Sequence, residues 1–330
     1  MKFSVVVCTY ERPRSLLKFL RSVEDQNMYP DQILVIDGSQ TTSTKNELRK
    51  FRFSNLEYHL VDDECRGLTR QRNYGISRVS RNVEVVFFFD DDVVLLPKFF
   101  EQQLAVYEKN SEALGVGGYI SNEAQWKPGV GDPTKDFLYD GWYRKFGSRN
   151  VLRKKLGLSS SVAPGLMPEF SHGLSTGYLP PSGRIYRVDF FMGCAMSFRK
   201  EIFEQLKFSV FFEGYGLYED MDFCLRVSLL GPLYLNTSAR LEHYHEPSGR
   251  PNSFKYGKMV IRNGWYVWRL KFPHPTYKAK FRWHATALLL TAIRFGNAIK
   301  KAERKEAFSE GTGRLTSWVE LLWKKPQIEK

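Results

Sequence analysis

The chain has 330 residues, of which 42% are hydrophobic and 26% charged, and a formal net charge of +13. That balance excludes a disordered or fibrous chain and leaves room for one large domain or two smaller ones. The positive excess calls for an acidic partner: nucleotide phosphates, nucleic acid or anionic lipid.

In chain order, residues 3–8 read as a first strand, with Glu11-Arg12-Pro13 directly after it and no secretory-signal pattern before it. Pro13 suits the first turn of a helix that carries Leu16, Leu17, Leu20 and Val23 on one face. A second strand over 32–36 ends at Asp37-Gly38-Ser39, and a polar helix follows over 44–51. Then come a strand over 56–61, a helix over 68–79, a strand over 84–89, a helix over 97–107 and a strand over 114–119. This alternation predicts an α/β sheet. From 120 to 184 neither period persists, and the stretch reads as a substrate-facing insertion with short elements. Strand-like order returns over 186–191, a helix is predicted over 219–229, and 239–242 is strand-like. Beyond Pro251, basic and aromatic residues interleave ahead of an apolar helix over 285–299. Arg294 and Asn297 interrupt that helix, so no uncharged stretch approaches the ~20 residues a membrane span requires. A cytoplasmic protein is expected, free or peripheral on a membrane face; the tail fits either an interfacial anchor on an anionic membrane surface or a packing layer of helices. The cysteines, Cys8, Cys65, Cys194 and Cys224, have neither zinc-ligand nor redox spacing, which suits free thiols.

The run Val85-Val86-Phe87-Phe88-Phe89 predicts a strand buried on both faces, and it ends in Asp90, Asp91 and Asp92. Carboxylates are seldom buried alone, so three at a central strand tip point to a hard divalent cation held by oxygen ligands; an acidic turn is the alternative. Thr9, Glu11 and Asp37 fall at other strand ends, on the edge where open α/β sheets bind ligands. Residues 66–75 gather Arg66, Arg70 and Arg72 near a helix start, suited to a diphosphate or to a solvated basic face. Glu219 and Asp220 open a helix, as caps or as a general base. His243 and His245 share one face of a strand, and either fits a metal beside the aspartates or an ordinary structural place. No phosphate-loop motif and no G-x-G-x-x-G after the first strand is found, and Gly115-Val116-Gly117-Gly118 lies inside a strand.

Four segments occur in a telling order: Val5-Val6-Val7-Cys8-Thr9-Tyr10; Arg66-Gly67 with Arg72-Asn73; Phe88-Phe89-Asp90-Asp91-Asp92; and Gly193-Cys194-Ala195-Met196-Ser197-Phe198-Arg199 followed by Glu219-Asp220. Together they resemble the family 2 glycosyltransferases of GT-A fold, over about residues 3–246. The resemblance implies a mixed, mostly parallel central sheet with flanking helices and a C-terminal helical extension. It implies a catalytic domain over 1–250 (nucleotide-sugar half 1–119, acceptor half 120–250 with the insertion 120–184) and a tail over 251–330. Thr9, Glu11 and Asp37 would line the nucleoside pocket, with Arg66 and Arg72 near the base or phosphates. Asp90 would contact the ribose, with Asp91 as the least constrained of the three. Asp92 would ligate Mn2+ or Mg2+, completed by His245 or His243. Asp220 would be the general base and Glu219 would position a sugar. The implied reaction is inverting transfer from a nucleotide-diphosphate sugar to a glycan or lipid-linked acceptor, in polysaccharide, glycolipid or other cell-surface glycan synthesis. Only Asp37 follows the second strand where the family often has two acids, which leaves the nucleobase open; a UDP-sugar is expected first, with dTDP or GDP as alternatives. The competing functions are a basic nucleic-acid-binding protein and a nucleotidyltransferase; with the aspartates at a strand end, no nucleic-acid partner is expected.

Overall fold

The computed structural model describes residues 1–171, 173–246, 251–299 and 304–329. They divide into two compact units, Met1–Trp126 with Ser175–Gly249, and Lys127–Leu174 with Arg250–Lys330.

The first unit begins with β1 (Phe3–Thr9), α1 (Pro13–Glu24), β2 (Gln32–Asp37), α2 (Ser43–Leu48), β3 (Leu56–Leu60), α3 (Leu68–Arg78), β4 (Val85–Asp90), β5 (Val93–Leu95), α4 (Phe99–Lys109) and β6 (Gly115–Ile120). In the second unit, β7 (Lys127–Pro128), β8 (Asp136–Tyr139) and β9 (Trp142–Lys145) form a small antiparallel sheet, followed by α5 (Ser148–Lys155). The first unit resumes with β10 (Ile185–Val188), β11 (Ala195–Arg199), α6 (Ile202–Gln205), α7 (Glu219–Ser228) and β12 (Leu233–His243).

The large sheet has the order β10-β12-β6-β11-β4-β1-β2-β3, with β5 also paired to β12. Strands β1, β2, β3, β4, β6 and β12 run in one direction, and β11 is reversed between β4 and β6. β5 and β10 lie antiparallel to β12. This is the mixed, mostly parallel GT-A sheet that the sequence predicts. Every side chain of β1 and β2 is buried, because α helices cover both faces of the strands. On one face Phe3, Phe87, Phe89, Phe99 and Phe100 pack ring to ring, with centroids 4.9–6.1 Å apart.

Two expectations about strands are corrected. The strand expected over 186–191 stops at Val188. The strand-like 239–242 is the end of the eleven-residue β12, concealed by Asn236-Thr237-Ser238 at an irregular register. Asn236 and Thr237 are buried but satisfied: Asn236 Nδ2 donates to the Gln102 carbonyl at 2.7 Å, and the Thr237 hydroxyl to that of Arg184 at 2.8 Å. The glycines of β6 exist for space: a Cβ at Gly115, Gly117 or Gly118 would lie 2.5–2.7 Å from the rings of Phe198, Phe191 or Phe99.

In the second unit the tail holds three helices rather than the single one expected: α8 (Ser253–Lys271), α9 (Tyr277–Asn297) and α10 (Arg304–Glu320). Asn252 and Thr276 cap α8 and α9 by accepting the N–H groups of Lys255 and Ala279. α8 and α10 meet backbone to backbone. A Cβ at Gly257 would lie 2.2 Å from the Glu310 carbonyl oxygen, and one at Gly313 2.1 Å from that of Phe254. Trp268 stacks on Trp283 at 5.3 Å and donates its indole N–H to the Glu169 carbonyl at 2.7 Å.

Gly257→Ala is therefore expected to destabilise by about 1–3 kcal/mol through overpacking. Gly296→Ala, on α9 with nothing within 4 Å of its Cβ, is expected to be neutral or to stabilise by up to about 1 kcal/mol. Urea unfolding of both variants checks the contrast.

Candidate active site

Parallel pairing brings the ends of β1, β2, β4 and β12 to one edge. The registers set Thr9 beside Asp37 and Cys8 beside Asp90. Asp37 is fully buried and accepts hydrogen bonds from the Tyr58 hydroxyl at 2.6 Å and the Ser39 N–H at 2.8 Å. Arg66 Nε donates to the Gly38 carbonyl at 2.6 Å, and the same guanidinium pairs with Asp63. Glu11, in the left-handed region with φ 54°, accepts the backbone N–H groups of Gln40 and Thr41 at 2.8 and 2.9 Å. Its bond from the Thr41 hydroxyl, first among several, holds its carboxyl below the ordinary glutamate range.

The three aspartates have separate environments. Asp91, expected to be the least constrained, is buried and the most tightly bonded. It accepts the Thr9 hydroxyl at 2.7 Å and the Arg12 guanidinium at 3.1 Å. The physical reason is its place at the turn between β4 and β5, which directs it into the protein. Burial pushes its carboxyl up to about 7, with Arg12 and Thr9 pulling the other way. Asp92 Oδ2 accepts the Glu246 N–H at 2.7 Å, and its Oδ1 lies 3.2 Å from His243 Nε2. Asp90 is partly exposed and faces Arg72.

Asp90, Asp92 and His243 bring one potential ligand atom each within 4.8 Å of one another; Glu123, His243 and His245 form a second such group. Octahedral bonds of ~2.1 Å to a divalent ion place neighbouring ligand atoms ~3 Å apart, so the Asp92–His243 separation fits an ion between them. His243 Nδ1 lies 3.3 Å from Glu123, whose carboxylate also lies 2.8 Å from His245 Nε2. Burial opposes charge on His243, but its bonds to Asp92, Cys194 and Glu123 outweigh it and raise its pKa.

The second cluster centres on Arg72, only 1% exposed on α3. Its guanidinium pairs with Glu219, lies 3.2 Å from Asp90 and donates to the Gly193 carbonyl at 3.0 Å. Burial raises Glu219 to about 8, with Arg72 opposing. Glu219 Oε2 is buried without a hydrogen-bond partner, an orphan acceptor beside the next residue, Asp220. Asp220 accepts the Gly193 and Met221 N–H groups, both at 2.8 Å. Burial raises Asp220, and those two bonds pull it down. A Cβ at Gly193 would lie 3.0 Å from both acids, a tight fit that any larger residue would relieve only by moving one of them. The site therefore brings a group of potential cation ligands and a raised carboxylate together through Asp90 and Arg72.

A family model, glycosyl transferase family 2, matches residues 4–206. The chain belongs to this family. A glucosyl-dolichyl phosphate glucuronosyltransferase of Haloferax volcanii is 32% identical over 123 residues, covering 36% of this chain and 38% of that protein. The chain thus spans well under half the length of that curated relative. Among solved structures, the mannosyltransferase PcManGT of Pyrobaculum calidifontis, in complex with GDP-Man and Mn2+, superposes with a TM-score of 0.55 at 14% identity, covering 98% of this chain and 88% of that one. S. aureus TarS 1–349 gives 0.50 at 13%, covering 97% and 80%. At these identities the likeness is one of fold.

Of the residues expected in the family 2 site, Thr9, Asp37, Asp90, Asp91, Asp92 and His243 meet at the sheet edge, and Arg72, Glu219 and Asp220 meet beside it. The side chains of Glu11 and Arg66 are engaged by the loops after β2 and β3. Arg12, Glu123 and Gln71 join the site without being expected there, and Gly193, from the fourth motif segment, joins it through its carbonyl and N–H. Gln71 donates to the Thr9 and Ile36 carbonyls at 3.1 and 2.8 Å and so ties β1 to β2 from α3. For Arg12 and Glu123 the available signal is position, just after β1 and β6.

Replacing Arg72 with methionine would leave buried Glu219 without its counter-charge. A loss of about 3–5 kcal/mol is expected in urea unfolding, with part recovered by Arg72→Met/Glu219→Gln.

Proposed function

We propose that the protein transfers a sugar from a nucleotide-diphosphate sugar to an acceptor hydroxyl in one displacement that inverts the anomeric centre, with a divalent cation held at Asp92 and His243. The observation that carries this reading is the junction of the two clusters: Asp90 belongs to the cation-binding group and also faces Arg72, which pairs with Glu219 beside Asp220.

Thr9, Asp37 and Arg66 stand where a nucleoside would sit, and Asp90 is the exposed acid for a ribose hydroxyl. Asp220 takes the proton from the acceptor oxygen as that oxygen attacks the anomeric carbon from the face opposite the leaving group. The sugar–phosphate bond breaks as the new glycosidic bond forms, and the diphosphate leaves with the bonding electrons. Glu219 Oε2, the buried acceptor without a partner, is suited to a sugar hydroxyl. Arg72 holds both acids at fixed separation and keeps Glu219 from drifting into the path of the acceptor. A bound Mn2+ or Mg2+ supplies positive charge against the diphosphate. The donor nucleotide is proposed as UDP first, with dTDP or GDP next. PcManGT, solved with GDP-Man and Mn2+, supports a sugar nucleotide and a metal on this fold. The acceptor is proposed as a glycan or a lipid-linked glycan, and the Haloferax relative, named for a dolichyl phosphate-linked sugar, supports the second.

A panel of sugar nucleotides with Mn2+ or Mg2+ tests the reading. Transfer is expected with metal and absent with EDTA, and Asp92→Ala is expected to lose metal binding in calorimetry. Undiminished transfer by Asp92→Ala in EDTA would overturn it.

The base has its own signature. Asp220 acts deprotonated and burial raises its pKa, so kcat/KM is expected to fall with pH along a limb lying above the ordinary aspartate value of about 3.9. Asp220→Asn is expected to lower kcat by about 10²–10⁴-fold and to abolish that limb in a pH profile.

A further inference from the structure

The chain's positive charge belongs to one unit. Lys127–Leu174 with Arg250–Lys330 contains 26 of the 49 Lys and Arg but 9 of the 36 Asp and Glu, a net charge of +17, against −4 for the unit that carries the catalytic residues. The nucleotide chemistry therefore leaves most of this charge unexplained.

Within the basic unit, a cavity of about 180 Å³ lies among α8, α9 and the end of α10. It is smaller than the ~300 Å³ that a drug-sized ligand fills, and so suits one chemical group rather than a whole molecule. Its polar lining is Arg269, Lys280, His284 and Lys325, with no acid among them, and its apolar wall includes Trp265 and Leu321. The Arg269 guanidinium lies 5.5 Å from the ring centres of both Trp265 and Trp268, and its Nε is buried with no hydrogen-bond partner. Lys280 lies 5.1 Å over the Tyr277 ring. Two nearby acids are already engaged, Glu320 by Lys258 at 2.7 Å and Glu310 by Arg294 and Arg314 at 2.8 and 2.6 Å. His284 Nδ1 accepts the Trp318 indole N–H at 3.1 Å, so in the neutral ring the proton sits on Nε2 and adds a donor. Burial and Lys325 hold its pKa down, which favours that neutral form.

The same elements expose aromatic surface: Tyr277 is 90% exposed, Phe281 73% and Trp323 72%. Large aromatics next to lysines suit the layer between water and hydrocarbon, where the ring meets acyl chains and the ammonium meets phosphate. A free phosphate would need only the cations. The apolar wall and the exposed rings point to a phosphate attached to lipid. None of the described helices is long and apolar enough to cross a membrane, so the contact is with the surface.

We propose that this cavity seats the phosphate of an anionic lipid headgroup, with Tyr277, Phe281 and Trp323 resting in the interfacial layer. The proposal stands apart from the sugar-transfer reading and is tested without sugar transfer. The full chain is sedimented with vesicles of phosphatidylcholine alone or mixed with phosphatidylglycerol. Binding to the mixed vesicles only is expected, weakened about 10-fold or more by Lys280→Gln/Lys325→Gln. The charge-matched pair Lys154→Gln/Lys155→Gln, on the exposed face of α5, is expected to bind like the parent. Equal loss in both pairs would reduce the effect to net charge, and equal binding to both vesicle types would remove the anion; either result overturns the proposal. A second measurement uses the unaltered protein: glycerol phosphate is expected to release it from vesicles where sodium chloride of equal ionic strength does not. Equal release by both also overturns it.

Discussion

A guanidinium cannot shed its proton to escape a dry environment, so a buried arginine must be met by acids or carbonyls wherever the fold places it. Arg72 imposes that requirement on this protein. It lies over the Phe208 ring at 5.3 Å, out of water, and gathers Glu219 from α7, Asp90 from β4 and the Gly193 carbonyl ahead of β11. Elements almost 150 residues apart in sequence are thereby held to one point. The separation between Asp90 and Glu219 is set by the reach of one rigid, planar side chain. Its Nε has no hydrogen-bond partner.

The aspartate triplet straddles the end of its strand: Asp90 is the last residue of β4, and Asp91 and Asp92 form the turn before β5, so the three acids need not face one ligand. Asp91 turns inward to Thr9 and Arg12 and stiffens the edge, while Asp90 and Asp92 are left for the ligand side. An acid that looks redundant in sequence is the one that ties this turn to β1 and Arg12. His243 enters the same group because β12 pairs with β5, the short strand that continues the chain just past the triplet.

Most of this edge is legible in the sequence because alternation places strand ends. Thr9, Asp37, Asp90 and Glu219 fall within a residue or two of the element boundaries predicted for them. The remainder fails for physical reasons. β12 is obscured by Asn236 and Thr237, polar residues that become strand residues only once the Gln102 and Arg184 carbonyls accept their hydrogen bonds. α8 and α10 are obscured by Gly257 and Gly313, poor helix formers that are present because two backbones touch. Arg12 and Glu123 have only their position after a strand end to mark them: their partners, Asp91 and His243, are about 80 and 120 residues away in sequence.

Charge distribution bears directly on the metal. From composition alone, a net charge of +13 invites the idea that the protein attracts nucleotide phosphates by its overall field, but the unit that holds the site carries −4. The arginines at the site are already committed: Arg12 to Asp91, Arg66 to Asp63 and the Gly38 carbonyl, Arg72 to Glu219 and Asp90. An incoming diphosphate would meet Asp90 and Asp92 with little uncommitted positive charge to offset them. Like charges at such range cost several kcal/mol in a partly dehydrated site. A divalent ion held by Asp92 and His243 would reverse the sign of that encounter at one point, which is an electrostatic argument for the proposed metal, independent of any relative.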